Sequence, residues 1–591
     1  MTSYLRMPNV KQGTHNDPRL SHARKHLDFL DAQAYLSFGL LKAQTTQTHL
    51  KVFTGMAHDL PFSFETVNES VVGHYQTKIS IGKKVEVTKY QLYASSTTDS
   101  DLNASISQMV NQLQPYPYYV KQEQKDKSLL WKLSQIETSD IQLMKALRFN
   151  VFQLNQSGGL DQRISIAAKG ISGDGYEGHY FWDTETYLLP YFILTQPNKA
   201  KNLLLYRYQH LDEARMEAKN LGTIRGAKIP WRTINGKESS PYYPAGSAQI
   251  HINSDVALAF INYYRATLDL EFMFQYGIEL LLETAVFLLD YGHFKNGTFH
   301  LDSVTGPDEY TAIVNDNYYT NRMAKEHLGF TATFVLNHYD QLKPLLNRLG
   351  YDILTVHSLK AAADHMCLLV DDSANIIKQD ANFMDKAELE LESISKNDFP
   401  LLLHFHPLFI YRHQVLKQAD AVLAIVLLGE QNPQLYRNTF DYYLKRTTHD
   451  SSLSKCIYGI AAYRLGLDDL AYQYFQEVAQ LDLLDFKKHT RHGLHVANLG
   501  GSYLMLAYGL FGIRIEDTLR IDPALQHQIA QAKTTFMYHG IELSIELMDQ
   551  RITLVSSSPI DVMIYDELVH VNKVTTFEVK QIDYKEKGER K

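Results

Sequence analysis

Polar and apolar side chains alternate along Lys84-Val85-Glu86-Val87-Thr88-Lys89-Tyr90-Gln91-Leu92-Tyr93. Every second one can face a core, so the region 30–115 reads as β-sheet. From Gln122 to Ser157 the spacing changes to three and four, through Leu129, Leu130, Leu133, Ile136, Ile141, Met144, Leu147 and Val151, which predicts a connecting helix or pair. Between 160 and 515 helix-length amphipathic segments follow one another, among them Ser254–Asp269, Glu271–Tyr291, Ala419–Leu428 and Ser454–Leu465, with Gly, Pro and Asp between them. So many helices without a short sequence repeat suggest a toroid of helical hairpins rather than a solenoid. After Ile513 the period returns to two in Gly540–Leu547 and Arg551–Val555, so a small β unit is expected after the helices. The predicted organisation is an N-terminal β domain over 1–118, a helical linker over 119–158, a helical body over 159–515, and a β domain with a solvated, charged tail (Lys585–Lys591) over 516–591.

Charge and composition narrow the function more than the fold. The 591 residues exceed one core, and 45% hydrophobic with 21% charged residues describes an ordinary globular chain. A formal charge of −8 offers no basic face for nucleic acid and little attraction to anionic lipid, so any anion site must be local. Cys367 and Cys456 are too few for a disulfide framework. With no secretory stretch at the start and no apolar run of about 18 residues, a cytoplasmic protein with reduced thiols is expected. The 38 Tyr and 27 Phe suit sugar stacking as well as core packing.

Several motifs carry candidate chemistry. Gly173-Asp174-Gly175-Tyr176-Glu177-Gly178 has the spacing of a dinucleotide loop, but Trp182-Asp183 and helices follow instead of a βαβ unit, so its glycines are read as shaping an active-site loop. Gly306-Pro307-Asp308-Glu309-Tyr310 offers two adjacent carboxylates, either on a non-helical loop or at an acidic helix start. Glycosyl transfer needs a carboxylic acid that keeps its proton near neutral pH, and Glu309 beside Asp308 fits. Thr448–Ser454 and Lys488–His495 with Gly500-Gly501-Ser502 could cradle an anion through hydroxyls, imidazole and backbone N–H groups, or simply cap helices. His404-x-His406 lacks companion ligands, and no G-x-S-x-G elbow occurs, so neither a metal centre nor acyl transfer is expected.

Taken in order, Gly175–Glu185, Leu204–Tyr208, Gly306–Tyr310, Asn321 with Met323, Lys417–Asp420, His449 with Ser451–Ser454, and Gly493–His495 with Gly500-Gly501 resemble the blocks of glycoside hydrolase family 65, the maltose, kojibiose and trehalose phosphorylases. The resemblance implies an (α/α)6 barrel, preceded by a β-sandwich and helical linker and followed by a small β domain. It implies Glu309 as general acid and Trp182, Asp183, Lys417 and Gln418 as the glucosyl pocket. Ser451, Ser452, His495, Gly500, Gly501 and Ser502 would form the phosphate site. The implied reaction is inverting phosphorolysis of an α-glucosyl disaccharide to β-glucose 1-phosphate, with inorganic phosphate as co-substrate, no organic cofactor or metal, and a homodimeric assembly.

Two departures bear on the expectation. The 1–118 stretch is shorter than the sandwich the resemblance implies, which leaves a degenerate sugar-binding protein as one alternative. In Ile229-Pro230-Trp231-Arg232-Thr233 an Arg follows the Trp, where relatives commonly carry an acidic or amide residue. With Arg225, Lys228 and Lys237 nearby, Trp231 and Arg232 are read either as acceptor-site residues suited to trehalose 6-phosphate or, for Arg232, as plain surface. A hydrolase on the same fold is the other alternative and needs a second carboxylate facing the scissile bond.

Overall fold

The computed structural model describes residues 1–6, 27–46, 48–96, 101–159, 161–173, 175–485, 488 and 490–580. The charged tail at 585–591, Asp174 and His489 lie outside them. Two compact units divide the chain, one within residues 1–130 and one over Trp131–Lys591.

In the first unit a four-stranded antiparallel sheet runs in the order Leu27–Ala34, Phe38–Thr45, Lys51–His58, Lys89–Ser95. A three-stranded sheet is made by Thr2–Arg6, Ser70–His74 and Ser63–Val67. Alternation sorts the side chains by face. Leu5, Leu41, Met56 and Val71 cluster with Phe29, Ala32 and Phe64, while Phe38, Leu40, Phe53, Ala57 and Ala94 pack with Leu102 and Ile106 of the Leu102–Asn111 helix. That helix, capped by Asp101, stands in a stretch expected to be sheet. The alternating run at 84–93 also yields less strand than its pattern suggests. Strand pairing ends at His58 with Lys89; Thr88 bonds Asp59 just beyond it, and 84–88 is in no strand among the described residues.

The expected linker is two helices, Tyr116–Leu133 and Ile141–Ser157, with a strand between them. The first buries none of its residues and leaves Leu129 59% exposed, so its apolar spacing does not mark a core face. The second, capped by Asp140, buries Leu143, Leu147, Val151 and Leu154 at three- and four-residue intervals. The strand, Ile136–Thr138, forms the edge of a sheet built otherwise from Gln531–Tyr538, Ile541–Met548, Arg551–Ser556 and Val574–Glu578. Gly540 is not part of its strand: with His539 it makes a two-residue turn at positive φ, the geometry that a tight hairpin demands.

The helices of the second unit fall into two sets. Leu189–Thr195, His251–Thr267, Tyr318–Asn337, Ala421–Leu428, Ser454–Arg464 and Val496–Leu504 are buried over most of their lengths. Each contacts the next in that order, and the last packs against the first. Ile141–Ser157, Pro197–Gln209, Ile278–Tyr291, Ile353–Asp364, Pro433–Leu444 and Asp468–Gln480 each pack on one or more of these. Leu270–Tyr291 is long and apolar enough to cross a membrane, but most of it is buried here. Its Glu279 is held by Arg215 and Arg348, and its Glu283 by Arg215 and Tyr351.

Candidate active site

Trp182 and Asp183 sit at the start of a π-helical turn, Thr184–Leu188, that leads into the Leu189–Thr195 helix. Turns of this kind recur at functional sites. Buried Glu185 fixes the segment by taking two bonds from Arg207, at 2.8 and 2.9 Å, while Arg207 also donates to the Phe181 carbonyl. The Trp182 ring meets His251 edge-on at 5.2 Å. His251 is itself set by Asp255 at 2.7 Å, and Tyr319 donates to the same carboxylate.

Glu309 lies on a loop, since no helix lies between the strand Thr298–His300 and the helix that begins at Tyr318. The acidic helix start is therefore not what the Pro307-Asp308-Glu309 sequence forms. Gly306 allows the loop to approach the buried Asp420: a Cβ there would lie 2.4 Å from Asp420 Oδ2. Asp308 does not line the cavity beside its neighbour. It is fully buried and accepts from the Lys417 N–H at 2.7 Å and from Thr311 and Gln379, bracing the loop from behind; burial raises its carboxyl to about 6. Gln418 ties down the same loop by donating to the Pro307 carbonyl at 2.6 Å.

A cavity is lined by Ala168, Lys169, Tyr176, Phe181, Trp182, Asp183, Trp231, Glu309, Lys417, Gln418, Ser451, Ser452, Leu453, His495 and Ala497. Glu309 is 9% exposed, and its Oε1 lies 3.1 Å from Lys417 Nζ. Asp183 is pushed up to about 7 by burial, then by the charges of Glu309 and Glu185, with Lys417 opposing. A second group of liners stands at two helix starts. Ser451, Ser452 and Leu453 precede the Ser454–Arg464 helix, and His495 and Ala497 open the Val496–Leu504 helix. First-turn N–H groups lack carbonyl partners within their own helix and carry the positive end of its dipole. His495 is oriented by Asp482, which contacts its Nδ1 and accepts its N–H, both at 2.7 Å. Lys169, 5% exposed, has no carboxylate within ion-pair distance among the described residues, and burial lowers its ammonium to about 8.

Residues 148–504 match the glycosyl hydrolase family 65 central catalytic domain, and residues 513–571 match the C-terminal domain of the same family. The chain belongs to glycosyl hydrolase family 65. It is 44% identical over 458 residues to the α,α-trehalose phosphorylase of Geobacillus stearothermophilus, covering 76% of this chain and 60% of that one. It is 34% identical over 558 residues to an uncharacterized glycosyl hydrolase of Mycobacterium tuberculosis, covering 92% and 70%. A solved human-microbiome structure, provisionally named kojibiose phosphorylase, superposes with a TM-score of 0.87 at 25% identity over 98% of this chain and 78% of that one. The chain thus spans 60% of the length of the Geobacillus trehalose phosphorylase, while its fold, mostly helical with flanking β-sheets, follows the human-microbiome structure closely.

Within this family 65 site, several sequence expectations need correction. Arg232 is neither surface nor cavity: it is 1% exposed and ion-paired with Glu177 at 2.8 Å. Arg225 is paired with Asp290, Lys228 with Glu238, and Lys237 is exposed, so no cluster of cations awaits an acceptor phosphate there. Trp231 does line the cavity, packed edge-on against Phe181. Gly500, Gly501 and Ser502 lie inside the Val496–Leu504 helix, away from the cavity. Gly500 serves close packing, since a Cβ would come within 2.3 Å of the Tyr187 carbonyl oxygen, and Ser502 bonds Leu499 and Asn150. His449 contacts Tyr474 and Ser454, and His406 caps a short helix through Leu408. The Gly173–Gly178 loop is no dinucleotide turn: Tyr176, Glu177 and Gly178 are successively left-handed, which places Tyr176 on the cavity and Glu177 on Arg232. Lys169 was missed. Its only sequence signal is a lone cation ending the run Ile166-Ala167-Ala168 before a glycine.

Proposed function

We propose that this protein carries out inverting phosphorolysis of an α-glucosyl disaccharide, and that its two interlocked sets of six helices form an (α/α)6 barrel around the cavity. The observation that carries the reading is one cavity holding both a buried carboxyl, Glu309, and an anion-binding set. Ser451 and Ser452 offer hydroxyl donors, two helix starts offer backbone N–H groups, and Lys169 offers charge. Glu309 gives its proton to the glycosidic oxygen as the C1–O bond breaks. Phosphate, already an anionic nucleophile, forms the new bond at C1 with inversion, through an oxocarbenium-like state, and β-glucose 1-phosphate leaves. Trp182 supplies an apolar face for the sugar, and Asp183 and Gln418 supply polar contacts to its hydroxyls.

Asp183 gives a hydrolase reading some footing, because a carboxyl titrating at about 7 is well placed to act as base for water. The anion set weighs against it, since water needs neither a buried ammonium nor two helix starts. The relatives' names make trehalose and kojibiose the first substrates to test, with maltose and trehalose 6-phosphate beside them. Glucose 1-phosphate should form only when phosphate is added, and E309Q should lower kcat by roughly 10²–10⁴. Glucose release at an equal rate without phosphate would reject the phosphorylase and favour the hydrolase. Sugar binding without turnover in either condition would reject both.

A further inference from the structure

The loop that carries Glu309 begins and ends at one cluster of side chains. His300, at the end of the strand Thr298–His300, and Asp316, beside the cap of the Tyr318–Asn337 helix, enclose residues 301–315 between them. Their side chains meet with His300 Nδ1 2.8 Å from Asp316 Oδ2. Cys367, after the Ile353–Asp364 helix, joins them through its backbone bond to Phe299 at 2.9 Å and through its thiol, which faces Asp316. The imidazole nitrogen, carboxylate oxygen and thiol sulfur all lie within 4.8 Å of one another.

Three features separate this group from a chance polar cluster. The donor types, imidazole, carboxylate and thiol, are those that bind zinc and similar borderline-soft divalent ions. Local charge favours a cation: the ion partners of Asp316 and of neighbouring Asp302 among the described residues are His300 and His293, and neither carboxylate meets a Lys or Arg. The ligands are also held from behind, as metal ligands usually are. Asn321 Nδ2 donates to Asp316 Oδ1 at 3.0 Å and to the Cys367 carbonyl at 2.8 Å, and the Leu301 N–H points to the same Asp316 oxygen. Asp316 and Cys367 are buried, while the His300 side chain keeps 20% exposure and so leaves a way in.

We propose that His300, Asp316 and Cys367 form a three-ligand site for a zinc-like divalent cation, completed by water, which clasps the base of the loop bearing Glu309. Binding exchanges the thiol proton for the metal and releases that proton to solvent, with no change of oxidation state. The site lies outside the sugar cavity, so the proposal does not depend on the reaction assigned above.

The test uses the full chain stripped of metal with a chelator and titrated with Co²⁺ and, separately, with Zn²⁺. Co²⁺ should bind at one equivalent with a thiolate-to-cobalt charge-transfer band that C367S abolishes. D316N should weaken Zn²⁺ binding at least about tenfold, since even second-sphere changes cost 10–100-fold. Zn²⁺ should raise the unfolding temperature of the native protein and leave that of C367S unchanged. Circular dichroism checks that both variants fold, and if C367S does not, C367A replaces it. Cobalt binding without the charge-transfer band, or Zn²⁺ affinity equal in wild type, C367S and D316N, would overturn the proposal and assign the metal to other histidines.

Discussion

Asp183 makes the native protein sensitive to pH in a direction that can be worked out. Its carboxyl moves from 3.8 to about 7, chiefly by burial and then by the charges of Glu309 and Glu185. At about 1.4 kcal/mol per pH unit this corresponds to ~4 kcal/mol between the two protonation states. Below pH 3.8 the folded and unfolded chains both hold the proton, and nothing is lost. Between 3.8 and 7 the unfolded chain releases it while the native chain keeps it, so stability falls as pH rises. Above 7 both are ionised and the native state bears the full cost. Asp183→Asn has nearly the same shape and no charge, so it escapes this cost. The variant should gain over wild type by about 2 kcal/mol or more between pH 5 and pH 8, read as a widening gap in unfolding temperature. Phosphate is left out, because a ligand of the native state would mask the gap. Infrared titration gives a second readout: a protonated carboxyl band that vanishes near pH 7 in wild type and is missing from D183N. A gap that stays constant, or narrows toward pH 8, would show that Asp183 is ionised throughout and that the cavity is better solvated than its lining implies.

Other expectations follow from the same geometry. With Lys169 titrating at about 8, its charge is present below that pH and lost above it. Phosphate affinity should therefore weaken as pH rises from 7.5 to 9, and K169M should bind phosphate less well with that dependence removed. Arg232→Gln strands Glu177 after breaking a largely buried ion pair, so it should cost about 3 kcal/mol in a denaturant titration. The same variant should leave the preference between trehalose and trehalose 6-phosphate unchanged, because Arg232 does not reach the cavity. Gly500→Ala pushes a methyl group against the Tyr187 carbonyl and should destabilise by about 1–3 kcal/mol, seen in thermal unfolding.

What could be read in the sequence depended on whether a residue's neighbours in space are also its neighbours in the chain. The Ile141–Ser157 helix shows its buried face in its spacing because a helix sets that spacing locally. The strand Ile136–Thr138 does not, since the partner of Ile136 is 398 residues away at Thr534 and nothing near residue 136 records the pairing. Cavity residues divide in the same way. Trp182, Asp183, Glu309, Lys417, Gln418, Ser451 and Ser452 stand in compact blocks, each set by one turn or loop, and so each block could be picked out as a unit. Arg232 was misjudged because its charge is cancelled by Glu177, 55 positions back. Gly500 was misjudged because a paired glycine looks the same in sequence whether it bares backbone to an anion or admits a neighbouring helix. Lys169 and the His300–Asp316–Cys367 cluster are the converse: single residues with no local pattern that become chemically distinctive only where separate elements converge. A buried charge states its purpose through what lies within a few ångströms of it. In this fold that distance is spanned mostly by residues from other helices, so the local sequence left Glu309 between a loop and a helix start, and it was the family resemblance that implied its role as the acid.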